Sequence, residues 1–252
     1  MTRGVPVMGE REGRKLYEHV RAARPGHVLE IGTAHGVSAC YLAAALEENG
    51  GGRLTTVDHS GAGYADPTAD ELFQKTGLGR FIERLLIDDS SYTWWLKRQV
   101  EDRSDDAGNV ERGYDFCFLD GAHNWTIDGL AVLLLERLLK PGGWLLLDDL
   151  DWTYAGHGQE IALSPPSEKM FSMSSDELRT PHVAAIVDLI IKPHPAFSEI
   201  RIEDDRWAWC LKDENATTRL TVETSRPLEV LVSLAVQRGI RHARAALTRS
   251  SS

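Results

Sequence analysis

Three carboxylates and one imidazole fall within a single stretch, YDFCFLDGAHNWTIDGLAVLLLERLLKPGGWLLLDDLDWTY, which runs from Tyr114 to Tyr154. Asp120 closes the apolar run 116–119, and Asp148 and Asp149 close the apolar run 144–147. A short apolar run ended by a polar residue reads as a buried parallel strand. In open α/β sheets, ligands bind outside the carboxyl ends of such strands. Carboxylates gathered at one edge repel one another and are costly to desolvate, and a bound cation relieves both effects. His123 follows Asp120 by three residues, near the start of a predicted helix. An imidazole with an ordinary pKa of about 6.5 suits it to take a proton from a hydroxyl beside such a cation. A lone histidine also serves as a cap or a surface group, and the position next to Asp120 favours the catalytic reading.

A second group of residues lies upstream. Glu30-Ile31-Gly32-Thr33-Ala34-His35-Gly36 follows the predicted strand HVLEIG and precedes a helix. Small residues at a strand-to-helix turn let backbone approach a ligand, and the helix start offers free N–H groups. The Gly-x-Gly-x-x-Gly phosphate loop is not met, because position 34 is Ala and position 37 is Val. Glu30 would repel a pyrophosphate and suits a cationic amine. Asp58 ends the next predicted strand, RLTTVD, where it is placed to hold ribose hydroxyls.

These residues need a scaffold, and the chain alternates accordingly. Residues 9–24 read as an amphipathic helix, 38–48 as a helix ended by Asn49-Gly50-Gly51-Gly52, and 69–77 as a third. A strand leads to Asp88-Asp89, a helix covers 91–100, and a polar connection covers 101–113. Then come a strand, a helix over 124–139, a Pro141-Gly142-Gly143 turn and a further strand. This alternation predicts an α/β fold, a doubly wound Rossmann-like sheet that is mostly parallel. Residues 151–180 break the pattern and read as a lid or acceptor insertion. A helix over 181–191 follows, and FSEIRIED and RWAWCLK read as a closing antiparallel hairpin turning at Asp204-Asp205. Residues 1–212 are expected to form one domain, and 213–252 a C-terminal extension with an amphipathic helix whose basic end carries Arg238, Arg241, Arg244 and Arg249.

The composition narrows the function. A net charge of −10 argues against a general nucleic-acid binder. Cys40, Cys117 and Cys210 lack metal-ligand spacing and read as buried free thiols, which suits a cytoplasmic location. No apolar run reaches transmembrane length.

Over roughly residues 5–211 the chain resembles the class I S-adenosylmethionine-dependent methyltransferases, most of all the metal-dependent O-methyltransferases acting on catechols and on antibiotic or polysaccharide sugars. The resemblance implies that Glu30 and Gly32 line the methionine part of the cofactor, with Ser38 near its carboxylate and Asp58 on its ribose. It implies that Met8 and Gly9 close over the cofactor and that Asp89 and Ser90 contact adenine, with Asp120 at the junction of cofactor and metal. LDGAHNW and LLLDDLDW resemble the family's two acidic motifs, implying a divalent metal on Asp120 and Asp149 with Asp148. An all-oxygen set with open positions suits Mg²⁺. The catechol enzymes carry an amide where this chain has Leu150, and a lysine base where it has His123; the Asp-Asp pair and the histidine are closer to the sugar enzymes.

The expected activity is therefore Mg²⁺-dependent methyl transfer from S-adenosylmethionine to a saccharide hydroxyl, with His123 as base. A phenolic or catecholic acceptor is the alternative, and a nicotinamide-dependent oxidoreductase a more distant one. Trp125, Trp152, Tyr154 and His157 are the candidate acceptor contacts, His35 is a weaker candidate, and a homodimer is expected.

Overall fold

The computed structural model describes residues 2, 4–5, 8–61, 66–106, 108–156 and 173–215. The expected C-terminal helix and His157 lie outside these residues. The elements in chain order are α1 (Glu10–Ala23), β1 (His27–Ile31), α2 (Val37–Glu48), β2 (Arg53–His59), α3 (Ala69–Thr76) and β3 (Ile82–Ile87). They continue as α4 (Tyr92–Asp102), β4 (Tyr114–Leu119), α5 (Trp125–Leu138), β5 (Leu139–Leu147), α6 (Ser175–Arg179), α7 (His182–Ile186), β6 (Phe197–Glu203) and β7 (Trp207–Lys212).

The seven strands form one sheet in the order β3-β2-β1-β4-β5-β7-β6. The first five are parallel, and β7 runs antiparallel between β5 and β6. The order reverses between β1 and β4, where a crevice opens at the strand ends. Side chains alternate across the sheet: Phe116 and Phe118 of β4 enter one apolar core, and Cys117 and Leu119 enter the other. The first core lies under α1, α2 and α3, and the second under α4, α5 and α7. The doubly wound α/β fold expected from the alternation is thus the fold observed.

Local chemistry sets the element boundaries. Thr68 opens α3 with a capping box to Glu71, and Ser91 caps α4 at Thr93 N. Asn124 caps α5 by accepting from Thr126 N and Ile127 N. α1 buries Gly13, Leu16 and Val20 against α2, and a Cβ at Gly13 would meet the Tyr41 ring at 2.1 Å. The hairpin turns at Asp204 and Asp205, both with φ of 54°, which matches the two-residue turn preferred between right-twisted strands. Residues 187–191 continue α7 as a single π-helical turn.

One expectation is corrected. Pro141-Gly142-Gly143 lies within β5, which begins at Leu139, and bends the strand rather than preceding it: Gly142 has φ of +74°, and the pairing steps from Tyr114–Leu139 to Phe116–Trp144. Gly143 serves close packing: a Cβ there would lie 2.8 Å from the Asp115 carbonyl oxygen, and the β4–β5 register shifts between Tyr114 and Phe116. No helix among the described residues is long and apolar enough to cross a membrane.

Candidate active site at the strand ends

The C-terminal ends of β1, β2, β4 and β5 deliver the predicted residues to one edge of the sheet. Gly32 follows β1 with φ of +99°, and its N–H donates to Val57 O at 2.9 Å. A Cβ at Gly32 would stand 1.8 Å from the Asp120 carbonyl oxygen. The β1 and β4 ends therefore touch through backbone, and glycine is required for that contact as well as for φ.

Glu30 is fully buried beneath this turn. Its Oε2 accepts from the Thr56 hydroxyl at 2.5 Å, Thr56 meets Thr33 at 2.7 Å, and Oε1 has no partner. Burial, with the charges of Asp58 and Asp120 behind it, pushes the Glu30 carboxyl up to about 8 against the hydroxyls of Ser38 and Thr56. Asp58 Oδ2 accepts from Ala34 N at 2.8 Å and Oδ1 from His59 N at 2.7 Å, so the β2 carboxylate braces the turn after β1. Ser38 is buried in the first turn of α2. His35 is turned to the Pro67 carbonyl at 2.8 Å.

The acidic edge lies across β4 and β5. His123 Nε2 stands 3.2 Å from Asp120 Oδ1 and 3.3 Å from Asp149 Oδ2. Burial lowers the imidazole pKa, but the hydrogen bond and charge of Asp120 and the charges of Asp149 and Asp128 outweigh it and push it up to about 9. One donor atom from each of Asp120, His123 and Asp149 lies within 4.8 Å of the others, a spacing that fits a metal ion. An imidazolium and a divalent cation are thus alternatives between the same two carboxylates.

Asp148 is placed differently from the expectation. Its Oδ1 accepts from Arg206 Nε, Trp207 Nε1 and Asp149 N, each at 2.7 Å, and Oδ2 lies 3.3 Å from Arg206 Nη2. Only Asp120, His123 and Asp149 group as potential ligands among the described residues. Both acids lie past the end of β5, and the chain turns at Asp149, whose φ is +60°; Asp148 faces β7 and Asp149 faces His123.

The loop carrying His123 is held from several sides. Tyr92 donates its hydroxyl proton to Asp128 and accepts from Ala122 N at 3.0 Å. Asp128 also accepts from Asn124 N at 2.8 Å, and the Tyr154 hydroxyl bonds to Ala122 O and to the Asn124 amide, both at 3.3 Å. These bonds fix His123 at φ of +49°. Trp152 stands 5.1 Å from the His123 ring, and Tyr154 meets Trp152 edge-on at 4.6 Å. Trp125 donates its backbone N–H to His182 Nδ1 at 3.0 Å, and His182 lies 5.4 Å from Tyr154.

The remaining candidates are peripheral. Asp89 is paired with the Arg98 guanidinium, which holds its carboxyl below the usual range, and Ser90 is exposed beside it. Met8 and Gly9 line a cavity of about 770 Å³ with Tyr17, Tyr41 and Ala44 of α1 and α2; none of Glu30, Gly32 or Asp58 lines it. Arg206, Tyr92, Asp128 and His182 were not legible as site residues in the sequence. Only Asp128, four residues after the cap Asn124 in a predicted first helical turn, carried a local signal.

Residues 29–150, which carry both halves of the site, match the family model described as "Methyltransferase domain". No curated protein is detectably similar to the chain in sequence. Among solved structures, the O-methyltransferase from Bacillus cereus in complex with SAH aligns with a TM-score of 0.56 at 20% identity, covering 83% of this chain and 84% of that one. The O-methyltransferase TomG from Streptomyces achromogenes, involved in tomaymycin synthesis and in complex with SAM, gives 0.55 at 17%, covering 82% of each chain. The SAH-bound methyltransferase PaMTH1 from Podospora anserina gives 0.56 at 18%, covering 82% and 80%. At these identities the likeness defines the fold.

The residues present fit such a cofactor: Glu30, buried beneath the turn after β1, keeps one carboxyl oxygen unpartnered. Glu30 also has a consequence for stability. Its carboxyl ionises near 4.5 when unfolded and about 8 when folded. Between those values the folded chain keeps a proton that the unfolded chain has lost, so stability falls as pH rises through the window. Glu30→Gln is expected to match the wild type in stability at pH 4.5 and to exceed it at pH 8, by on the order of a few kcal/mol, with a correspondingly higher Tm. Melting curves across pH check this, and a difference independent of pH would sink it.

Proposed function

We propose that this chain is an S-adenosylmethionine-dependent O-methyltransferase that uses a divalent cation, Mg²⁺ by preference, and methylates a saccharide hydroxyl. The observation that carries the reading is the junction at Gly32 and Asp120. There a turn built over a buried acid with one unpartnered oxygen meets an acidic edge that holds an imidazole. The first group suits a cationic amino acid moiety, and the second suits the activation of a hydroxyl.

Glu30 pairs with the donor's ammonium group, and Asp58 holds its ribose while bracing Ala34. Asp120 and Asp149 hold the cation, which when bound supplies charge that lowers the pKa of an acceptor hydroxyl. His123, in its neutral form, takes the hydroxyl proton. The acceptor oxygen then bonds to the sulfonium methyl as the carbon–sulfur bond breaks, leaving S-adenosylhomocysteine. Positioning and fixed charge supply most of the rate. Trp152 and Tyr154 beside His123 offer aromatic faces on which a sugar ring packs. The same faces favour a phenolic acceptor as the second reading.

The test is methyl transfer to a panel of sugars and phenols with Mg²⁺, scored by product mass. EDTA and Asp120→Asn are each expected to lower turnover at least about 100-fold. Full activity in EDTA would refute the cation requirement, and transfer to phenols alone would reassign the acceptor.

A further inference from the structure

We propose that Arg206 is the resident cation of the acidic edge. It withholds Asp148 and one oxygen of Asp149 from any divalent ion and so sets how many carboxylate oxygens that ion can use. The inference rests on the cation site proposed above.

Arg206 is the first residue after the Asp204–Asp205 turn, and its position is fixed by backbone. Its N–H donates to Glu203 O at 3.1 Å, and its carbonyl accepts from Leu150 N at 2.9 Å, which ties it to the end of β5. The guanidinium then reaches both acids: Nε lies 2.7 Å from Asp148 Oδ1, and Nη2 lies 2.8 Å from Asp149 Oδ1. Trp207 Nε1 donates to the same Asp148 oxygen, and Asp148 is 1% exposed. Asp148 is therefore saturated by a built pair of side chains. Asp149 keeps one oxygen, Oδ2, facing His123.

An arginine cannot give up its proton, so its charge stays beside the site at every accessible pH. That charge repels a second cation placed on Asp149. A purely structural arginine would act in the opposite direction, because its loss would disorder the ligands and weaken metal binding. The sign of the effect separates the two roles.

The experiment titrates Mn²⁺ alone into the full chain by calorimetry, for the wild type, Arg206→Gln, Arg206→Lys, Asp148→Asn and the double variant Arg206→Gln/Asp148→Asn. Arg206→Gln is expected to bind Mn²⁺ about 10-fold more tightly or better. Arg206→Lys should stay near the wild type, because the charge remains. The double variant should bind more weakly than Arg206→Gln but more tightly than the wild type, because it loses the freed Asp148 and keeps the freed Asp149 oxygen. Asp148→Asn alone should change affinity less than about twofold; this arm decides the matter if Arg206→Gln does not fold.

Equal or weaker binding by Arg206→Gln would overturn the proposal, as would a roughly 10-fold loss in Asp148→Asn. Binding by Arg206→Gln with none by the wild type would support the proposal and count against the native cation site. Absence of binding in every variant overturns the proposal, and the EDTA experiment judges the cation requirement independently.

Discussion

His123→Ala is expected to lower kcat by about 10² to 10⁴-fold, the range supplied by a positioned proton acceptor. The affinity for S-adenosylhomocysteine should be nearly unchanged. The reason lies in which strands carry which work. Glu30 and Asp58 stand at the ends of β1 and β2, and neither touches the imidazole. His123 contacts Asp120 and Asp149 at the ends of β4 and β5. The loop should survive the substitution, because Tyr92, Asp128 and Tyr154 hold it through Ala122 and Asn124 rather than through the imidazole. Saturation kinetics, with calorimetry of S-adenosylhomocysteine binding, check the split. A fall in kcat below about fivefold would remove the base role, since that is less than proton transfer contributes. A parallel loss of cofactor affinity would mean that the two halves of the edge are not separable.

Much of this arrangement is legible in the sequence, for a physical reason. A parallel strand buried on both faces must be apolar until it reaches the edge, so the first charged residue marks the strand end. Glu30, Asp58, Asp120 and the Asp148-Asp149 pair are found in this way. What cannot be read is which of two adjacent acids faces the site. Asp148 and Asp149 look alike in sequence, and the choice is made by Arg206 and Trp207, which are 58 and 59 residues away. That pairing depends on the register of β7 against β5, with Leu147 opposite Ala208, a tertiary fact with no local signature. Tyr92 is hidden for the same reason, since its partner Asp128 is 36 residues on. Pro141-Gly142-Gly143 misleads in another way. Glycine marks either a turn or a close backbone approach, and here Gly143 lies against Asp115.

Gly32→Ala is expected to damage the fold and both halves of the site together. The added Cβ would fall 1.8 Å from the Asp120 carbonyl oxygen and 2.9 Å from its carbonyl carbon. Both are backbone atoms of the β4 end, whose N–H is itself bonded to Ile31 O at 2.9 Å, so neither neighbour can rotate away. The φ of +99° adds strain for any L side chain. Strain of about 1–3 kcal/mol and overpacking of about 1–3 kcal/mol together consume much of a typical margin of about 5–15 kcal/mol. Two glycines separate these causes. Gly50, with φ of +85° and nothing within 4 Å of an added Cβ, reports strain alone. Gly36, with φ of +78°, would press on the Phe73 ring at 2.5 Å, a side chain that can shift. Urea midpoints should therefore fall in the order Gly50→Ala, Gly36→Ala, Gly32→Ala, with the largest loss last. Where Gly32→Ala remains folded, methyl transfer and S-adenosylhomocysteine affinity should drop together, because moving Asp120 away from the turn separates donor from acceptor. A Gly32→Ala midpoint equal to that of Gly50→Ala, with cofactor affinity intact, would show that the β1 and β4 ends do not meet through backbone.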